Sequence, residues 1–506
     1  MRLSPFEMPL GASRNIISGL NPTRGGKGVG KMPKADPGSK RESSLALRKR
    51  SIWELADKKA RKQIEDISAD YMSFISKAKT ERMATREIVS MLQKAGFKDL
   101  GNIDGYVPGA KVYLVNRDKN VAAAVLGRER LSSGANLIAA HGDAPRLDLK
   151  QNPLYEDADT KLVLFKTHYY GGIKKYQWVN IPLAIHGTVV LGDGKAVEVH
   201  IGESPDDPVF TICDLLPHLY KKKQADRKLS EGITGEELNL LLASLPFKDE
   251  KSKKKVKLWV LDHLNRTYGM VEEDFVSSEL EVVPAGSARE VGFDRSMIGA
   301  YGQDDRICAY SAIRALIDIK SPKRTAIALV IDKEEIGSDG PTSIRSRFLE
   351  EFYSRLLELD GKDQPDRMLR ESLSSSRAIS SDVNGAVNPT FKDVHELQNA
   401  ARIGWGICLT KYTGSGGKFA SNDASAEFVG MVRKVLNENG IPWQTGELGK
   451  VDEGGGGTIA KFLAEHNMDV VDAGPALISM HSPFEISSKA DLWASFRAYK
   501  AFFSMP

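Results

Sequence analysis

In Asn136-Leu-Ile-Ala-Ala-His-Gly-Asp-Ala-Pro145 a short apolar run ends in a His-x-Asp pair, His141 and Asp143. Such a run reads as a buried strand that delivers polar side chains at its carboxyl end. Three further segments repeat the design. Residues 325–331 run into Glu334 and Glu335, residues 377–381 into Asp382, and residues 476–480 into His481. In open α/β sheets ligands bind outside the carboxyl ends of the strands. Four such ends carrying His, Asp and Glu therefore point to one cleft with one metal cluster.

The chain has 506 residues, enough for two domains or three. With 27% charged and 41% hydrophobic residues it has ordinary soluble composition, and no apolar stretch approaches the ~18 residues of a membrane helix. A formal net charge of +4 is mild, and the Gly/Ser/Pro-punctuated basic segment 1–50, which reads as a disordered extension, accounts for all of the excess. No nucleic-acid or membrane partner is expected. Cys213, Cys308 and Cys408 lie far apart without a CxxC pair, which argues against a disulfide framework and a thiolate zinc site and fits a reducing cytoplasm.

Residues 85–96 place Ile88, Met91, Leu92 and Ala95 at helical spacing and stop at Gly96, a helix with a glycine cap. Residues 112–125 read as a hairpin leading to the 137–140 strand. Between 161 and 283 the texture changes to alternating Val and Ile, as in 187–191 and 196–201. A lysine-rich stretch, 221–257, then reads as helical. After about Ala285 the βα alternation resumes, with helices over 305–317 and 424–439, a strand over 326–331, and a tail helix over 491–503 covering the sheet. The expected division is a disordered extension (1–50), a split catalytic α/β domain (51–150 and 288–506) and an inserted β-rich domain (151–287). Two glycine-rich runs, Gly414-Ser-Gly-Gly417-Lys418 and 454–457, do not fit a P-loop, so they read as backbone passing close to a substrate.

A pair of divalent metals about 3.5–4 Å apart needs a carboxylate bridging both, with His and carboxylate ligands on either side. Asp304, in Gly302-Gln-Asp-Asp-Arg306, is the candidate bridge. His141 and Asp382 would complete one metal, Glu335 and His481 the other. Asp143 would hold the His141 imidazole in one tautomer. Glu334 would be the general base, because adjacent glutamates at a strand end cannot easily reach the same metal. The remaining histidines other than His218 read as structural or surface residues.

The ordered set HGDAPRLDLK (141–150), YGGIKKYQW (170–178), QDDRICAY (303–310), DKEEIGS (332–338), SSDVN (380–384) and MHSPFE (480–485) resembles the aspartyl aminopeptidase family of zinc metallopeptidases, bacterial type. The similarity spans roughly residues 82–503. It implies an α/β fold: a zinc-peptidase-like catalytic domain with a central mixed sheet and helices on both faces, interrupted by a β-rich dimerisation domain. It implies two divalent ions per subunit, zinc with cobalt or manganese as substitutes. The same seven residues take the same roles, with a metal-bridging water as nucleophile. The family's dimers build a dodecamer that encloses the sites and admits short peptides. Gly385 and Asn388 stand where aspartyl members usually carry histidines. Asp214 stands where a histidine would reach a neighbouring subunit's site, and His218 follows four residues later. Lys411 aligns with a lysine near the substrate side chain and would favour an acidic first residue.

The expected activity is a dinuclear metal-dependent aminopeptidase. A carboxypeptidase or N-acyl amidohydrolase using the same cluster is the rival, separable by substrates with blocked and free N-termini. A non-catalytic scaffold would require salt-sensitive nucleic-acid binding through the basic tail.

Overall fold

The computed structural model describes residue 41 and residues 45–47, 49–249, 251–359, 361 and 366–506. The chain divides into two compact units, residues 1–48 and 49–506. The basic extension expected over 1–50 falls almost wholly outside the described residues, and every strand among the described residues belongs to the second unit.

Among the described residues, the strands form a mixed nine-stranded sheet, a seven-stranded sheet, a five-stranded sheet and a two-stranded pair. In the nine-stranded sheet Ala135–His141 is flanked on both sides by parallel strands, Thr325–Ile331 and Arg377–Ser380. All seven residues of Ala135–His141 are buried, and so are all seven of Thr325–Ile331. That explains their nearly continuous apolar sequence, since a central strand covered on both faces has no solvent side to mark with polar residues. The period of two survives in where each side chain goes. Ile138, Ala140, Ala326, Ala328 and Val330 enter one core, whereas Leu137, Ala139, Ile327, Leu329 and Ile331 enter the other. Helices Lys58–Lys77, Glu81–Lys94, Gln303–Ile317, Ala426–Glu438 and Lys489–Phe503 fill the first core, and Phe348–Glu358 and Ala460–Ala464 the second. Helices therefore cover both faces, as the family resemblance implies.

The helix expected over 85–96 begins earlier, at Glu81, because the Thr80 hydroxyl caps it by accepting from Met83 N at 3.2 Å. Gly96 follows its end with φ +83°. The 112–125 hairpin is present as Lys111–Asn116 and Asn120–Val125. The tail helix buries Leu492, Tyr499 and Phe503 as its register required.

Strands of the seven-stranded sheet run from Arg146–Glu156 to Ser278–Pro284 and enclose a separate core of Leu147, Phe165, Ile185, Leu240 and Val282. Here one expectation fails. The lysine-rich stretch 221–257 is not one helix: turns and two three-residue 3-10 helices, Leu229–Glu231 and Gly235–Glu237, occupy 221–237, Asn239–Ala243 is a strand paired with Val163–Tyr170, and the α-helix is Lys255–Tyr268. Gly232, Gly235 and Pro246 interrupt any helix across the stretch, and Leu240–Leu242 gain more by joining the apolar sheet than lysines gain on a solvated helix face.

Cys213, Cys308 and Cys408 are all free. Among the described residues no helix is long and apolar enough to cross a membrane.

Candidate metal centre

The register of the three central parallel strands pairs Ile331 with His141 and Ser380 with Ala139. Their carboxyl ends therefore lie side by side, and the chain leaving each one turns toward the same point. His141 closes the first strand, Glu334 and Glu335 follow the second, and Asp382 follows the third. The remaining ligands come from elsewhere, which corrects the expectation of four equivalent strand ends. Ala476–Ile478, which precedes His481, belongs to the five-stranded sheet, as does Met297–Ala300, which precedes Asp304. Two sheets, not one, build the cluster.

Asp304 lies between the two histidines. Its Oδ1 is 3.3 Å from His141 Nε2, and its Oδ2 is 3.2 Å from His481 Nε2. Glu335 Oε2 is 3.4 Å from His481 Nε2, and Glu334 Oε2 is 3.9 Å from His141 Nε2. The ligand atoms of His141, Asp305 and Asp382 lie within 4.8 Å of one another, as do those of Asp304, Glu335 and His481. The seven residues selected from the sequence for the centre are thus brought together. Asp143 supports them: His141 Nδ1 is 3.1 Å from its carbonyl and 3.3 Å from Oδ1, and the backbone N–H groups of Glu334 and Glu335 both donate to its carboxylate at 3.2 Å.

Two participants went unassigned from sequence. Asp305 accepts from His141 N at 3.3 Å, and its Oδ1 has no hydrogen-bond partner although buried. It adjoins Asp304 in QDDR, and that adjacency was its one signal. Glu485 braces the two ligands of the five-stranded sheet, accepting from Asp304 N at 3.1 Å and from His481 N at 2.7 Å. It stands four residues after His481 and closes the MHSPFE block, and membership of that block was its one signal.

Six carboxyl groups here face two imidazoles, in surroundings that are largely buried. Burial pushes Glu334 up to about 7, and the charges of Asp143 and Asp304 add to the rise. Burial, then Asp304, lifts Glu335 and Asp382 well above the carboxylate range. Burial would lower His481, but its hydrogen bond to Asp304 and the charge of Glu335 outweigh that and hold it up at about 10. A low-dielectric excess of negative charge persists only when protons or cations neutralise it. Glu335 Oε1 and Asp305 Oδ1, both buried without partners, are acceptors of the kind a cation would satisfy. The donor set of imidazole and carboxylate suits Zn²⁺, and the site fits such an ion.

Because a raised pKa means the proton stabilises the metal-free fold at acid pH, Glu334's contribution fades as pH rises through about 7, and that of His481 fades only through about 10. A divalent cation must displace those protons. Its affinity is therefore expected to tighten steadily as pH is raised from below 7 toward 10, with proton release measurable by titration calorimetry in two buffers of different ionisation enthalpy. Affinity independent of pH over that range would contradict this protonation pattern.

The cluster forms one wall of a cleft of about 330 Å³. Gly414, Gly416 and Gly454–Gly457 also line it, and here the two glycine-rich runs pair as short antiparallel strands, Gly414–Ser415 with Gly455–Gly456. Gly455, at φ +126°, has space for no Cβ: one would fall 2.1 Å from Gly414 O. Lys411 does not line the cleft; its ammonium pairs with Asp423 at 3.0 Å, and Lys418, which does line it, shares the same carboxylate at 3.1 Å. His218 lies in an exposed turn and is not part of the cleft.

Residues 74–503 match the family model described as Aminopeptidase I zinc metalloprotease (M18). An M18 family aminopeptidase 1 of Thermotoga maritima is 53% identical over 457 residues, 90% of this chain and 99% of that protein. The crystal structure of an M18 aminopeptidase from the same organism superposes with a TM-score of 0.87, covering 90% of this chain and 99% of that one at 52% identity. Aminopeptidase I of Clostridium acetobutylicum gives 0.85, at 45% identity over 91% and 100%. At 22% identity the chain shares the fold of S. cerevisiae mApe1, solved as a dodecamer, with a TM-score of 0.69 over 87% and 96%.

Proposed function

Since this chain belongs to the aminopeptidase I zinc metalloprotease family (M18) and is a zinc aminopeptidase, we propose that it removes N-terminal residues from short peptides at a dinuclear centre held by His141, Asp304, Glu335, Asp382 and His481. The observation that carries the dinuclear reading is the Asp304 carboxylate, which offers one oxygen to each histidine. His141 and Asp382 would hold one ion, with Asp305 beside them, and Glu335 and His481 the other. Zinc, when bound in such a site, acidifies water and polarises the scissile carbonyl, and cobalt or manganese can do the same.

The chain's own contribution is proton handling and orientation. Glu334 is 17% exposed on the cleft side of the cluster, so its carboxylate can reach a water there while burial raises its proton affinity. It accepts the proton of the attacking water and passes it to the leaving amine. Asp143 fixes the His141 ring and, through the Glu334 and Glu335 N–H groups, the loop that carries the base. The paired glycine strands bring backbone amides and carbonyls close to the peptide, a contact that side chains would obstruct. Residues 51–150 and 288–506 act as the catalytic body, and 151–287 as an inserted dimerisation domain of a cytoplasmic homo-oligomer, a dodecamer built from dimers. His218 remains a candidate for contact with a neighbouring subunit's substrate.

The test is a panel of chromogenic aminoacyl substrates (Asp, Glu, Leu, Lys, Ala), with chelator-stripped enzyme compared with enzyme restored by zinc, cobalt or manganese. Metal-dependent release is expected from free-amine substrates and not from N-blocked ones. Because Asp423 pairs with both Lys411 and Lys418 and leaves one net positive charge between them, Asp and Glu substrates should be favoured over Leu by no more than about tenfold, roughly 1.4 kcal/mol. Activity confined to blocked peptides would move the assignment to a related amidohydrolase.

A further inference from the structure

Strand Val163–Tyr170 of the seven-stranded sheet ends against the metal centre, and the chain leaving it makes two contacts there. The Tyr170 hydroxyl donates to Asp143 Oδ2 at 2.8 Å. Two residues on, the Gly172 carbonyl lies 3.0 Å from His481 Nδ1. A carbonyl can only accept, so Nδ1 carries the proton and Nε2 is left facing Asp304 and Glu335. Between them Gly171 turns at φ +72° with its Cα so close to Glu335 that an added Cβ would lie 3.3 Å from Glu335 Cβ.

Tyr170 is itself held firmly. It pairs across the strands with Arg146, whose guanidinium lies 3.8 Å from the centre of the ring. Arg146 Nε is in turn 2.8 Å from Asp148 and 3.0 Å from Glu281, and Tyr170 is 8% exposed. Of the groups around the Asp143 carboxylate, the hydroxyl makes the shortest contact, against 3.2 Å for the two backbone amides and 3.3 Å for the His141 ring. It is also the one that comes from the seven-stranded sheet.

We propose that Tyr170 is a positioning residue of the metal centre: its hydroxyl orients the Asp143 carboxylate, and together with the Gly172 carbonyl it makes the rim of the seven-stranded sheet part of the shell that aims His141 and His481. The proposal rests on the reading of those histidines as zinc ligands. Outer-shell partners that orient metal-binding histidines are typically worth about 10–100-fold in metal affinity or activity.

The experiment compares the full-length parent chain with Tyr170→Phe and Tyr170→Leu, reading zinc affinity by competition with a chromophoric chelator, kcat and KM on the best aminoacyl substrate, and the thermal midpoint of the metal-free protein. Phe keeps the ring and the Arg146 stack and removes only the hydroxyl. Tyr170→Phe is expected to weaken zinc by about 10-fold or more and to lower kcat with KM little changed, while the metal-free midpoint stays at the parent value. Gly171→Ala, which crowds Glu335 through the same turn, is expected to weaken zinc as well. A Phe variant equal to the parent with only the Leu variant impaired would reduce Tyr170 to a packing residue and overturn the proposal. So would a loss in the Phe variant that merely tracks a lowered metal-free midpoint. Failure of the parent itself to take up zinc would instead remove the metal-site reading beneath it.

Discussion

Glu334→Gln is expected to fold, to bind zinc as the parent does, and to lose between about 10² and 10⁴ in kcat. The substitution is nearly isosteric and leaves the amide N–H of residue 334 on Asp143, so the loop and the His141 side of the cluster keep their geometry. What disappears is an acceptor for the proton of the attacking water. Glu334 is 3.9 Å from His141 Nε2, farther than the cluster's other close pairs, and it remains partly exposed to the cleft. Its ligand oxygen also lies within 4.8 Å of those of His141 and Glu335, so the zinc content of the variant decides whether it works beside the ions, as proposed, or on them. Zinc content by elemental analysis and steady-state kinetics on one sample check both halves. Turnover within tenfold of the parent would assign the base elsewhere.

The second large effect is expected from Asp304→Asn. This carboxylate faces both histidines, and His141 and His481 together pull it well below the usual carboxylate range against the cost of burial. An amide keeps the shape but carries no charge and presents one oxygen instead of two. Metal affinity should therefore fall by more than the roughly 100-fold that marks the upper end for partners outside the coordination shell. Bound zinc should drop from two ions per chain to one or fewer, and activity should be lost with it. A variant that retains two equivalents and measurable turnover would show that Asp304 does not bridge.

How much of this was legible in the sequence depends on how local the signal is. His141, Glu334, Glu335 and Asp382 each follow an apolar run that becomes a strand of the nine-stranded sheet, and parallel pairing brings such ends together whatever else the chain does. His481 looked the same in sequence, yet its strand joins another sheet, because a run of three apolar residues carries no information about its partner. Asp305 and Glu485 were passed over for a different reason. Each answers to a backbone group far away in sequence, His141 N for one and Asp304 N for the other, although Glu485 also accepts from the nearby His481 N. The stretch 221–257 misled by composition: lysines suit a solvated helix, but two glycines, a proline and the pull of the apolar sheet decided otherwise. The lysine chosen as a substrate contact, Lys411, was matched by alignment, and alignment does not reveal that Asp423 already engages it.

The split of the ligands between two sheets has a consequence for when the protein can acquire its metal. Chains emerge from the ribosome N-terminus first and domains fold as units. His141 is made early, but His481 and Glu485 follow almost everything else, and the five-stranded sheet that carries Asp304 is completed by its Glu485–Ser488 strand. A nascent chain halted before His481 would have the His141 half of the site and neither His481 nor its brace. On the proposed ligand assignment, the complete two-ion centre therefore forms only after nearly the whole chain has been made. Completion of the centre would come late, in a nearly finished molecule, so metal supply is expected to bear directly on how much of the enzyme is active.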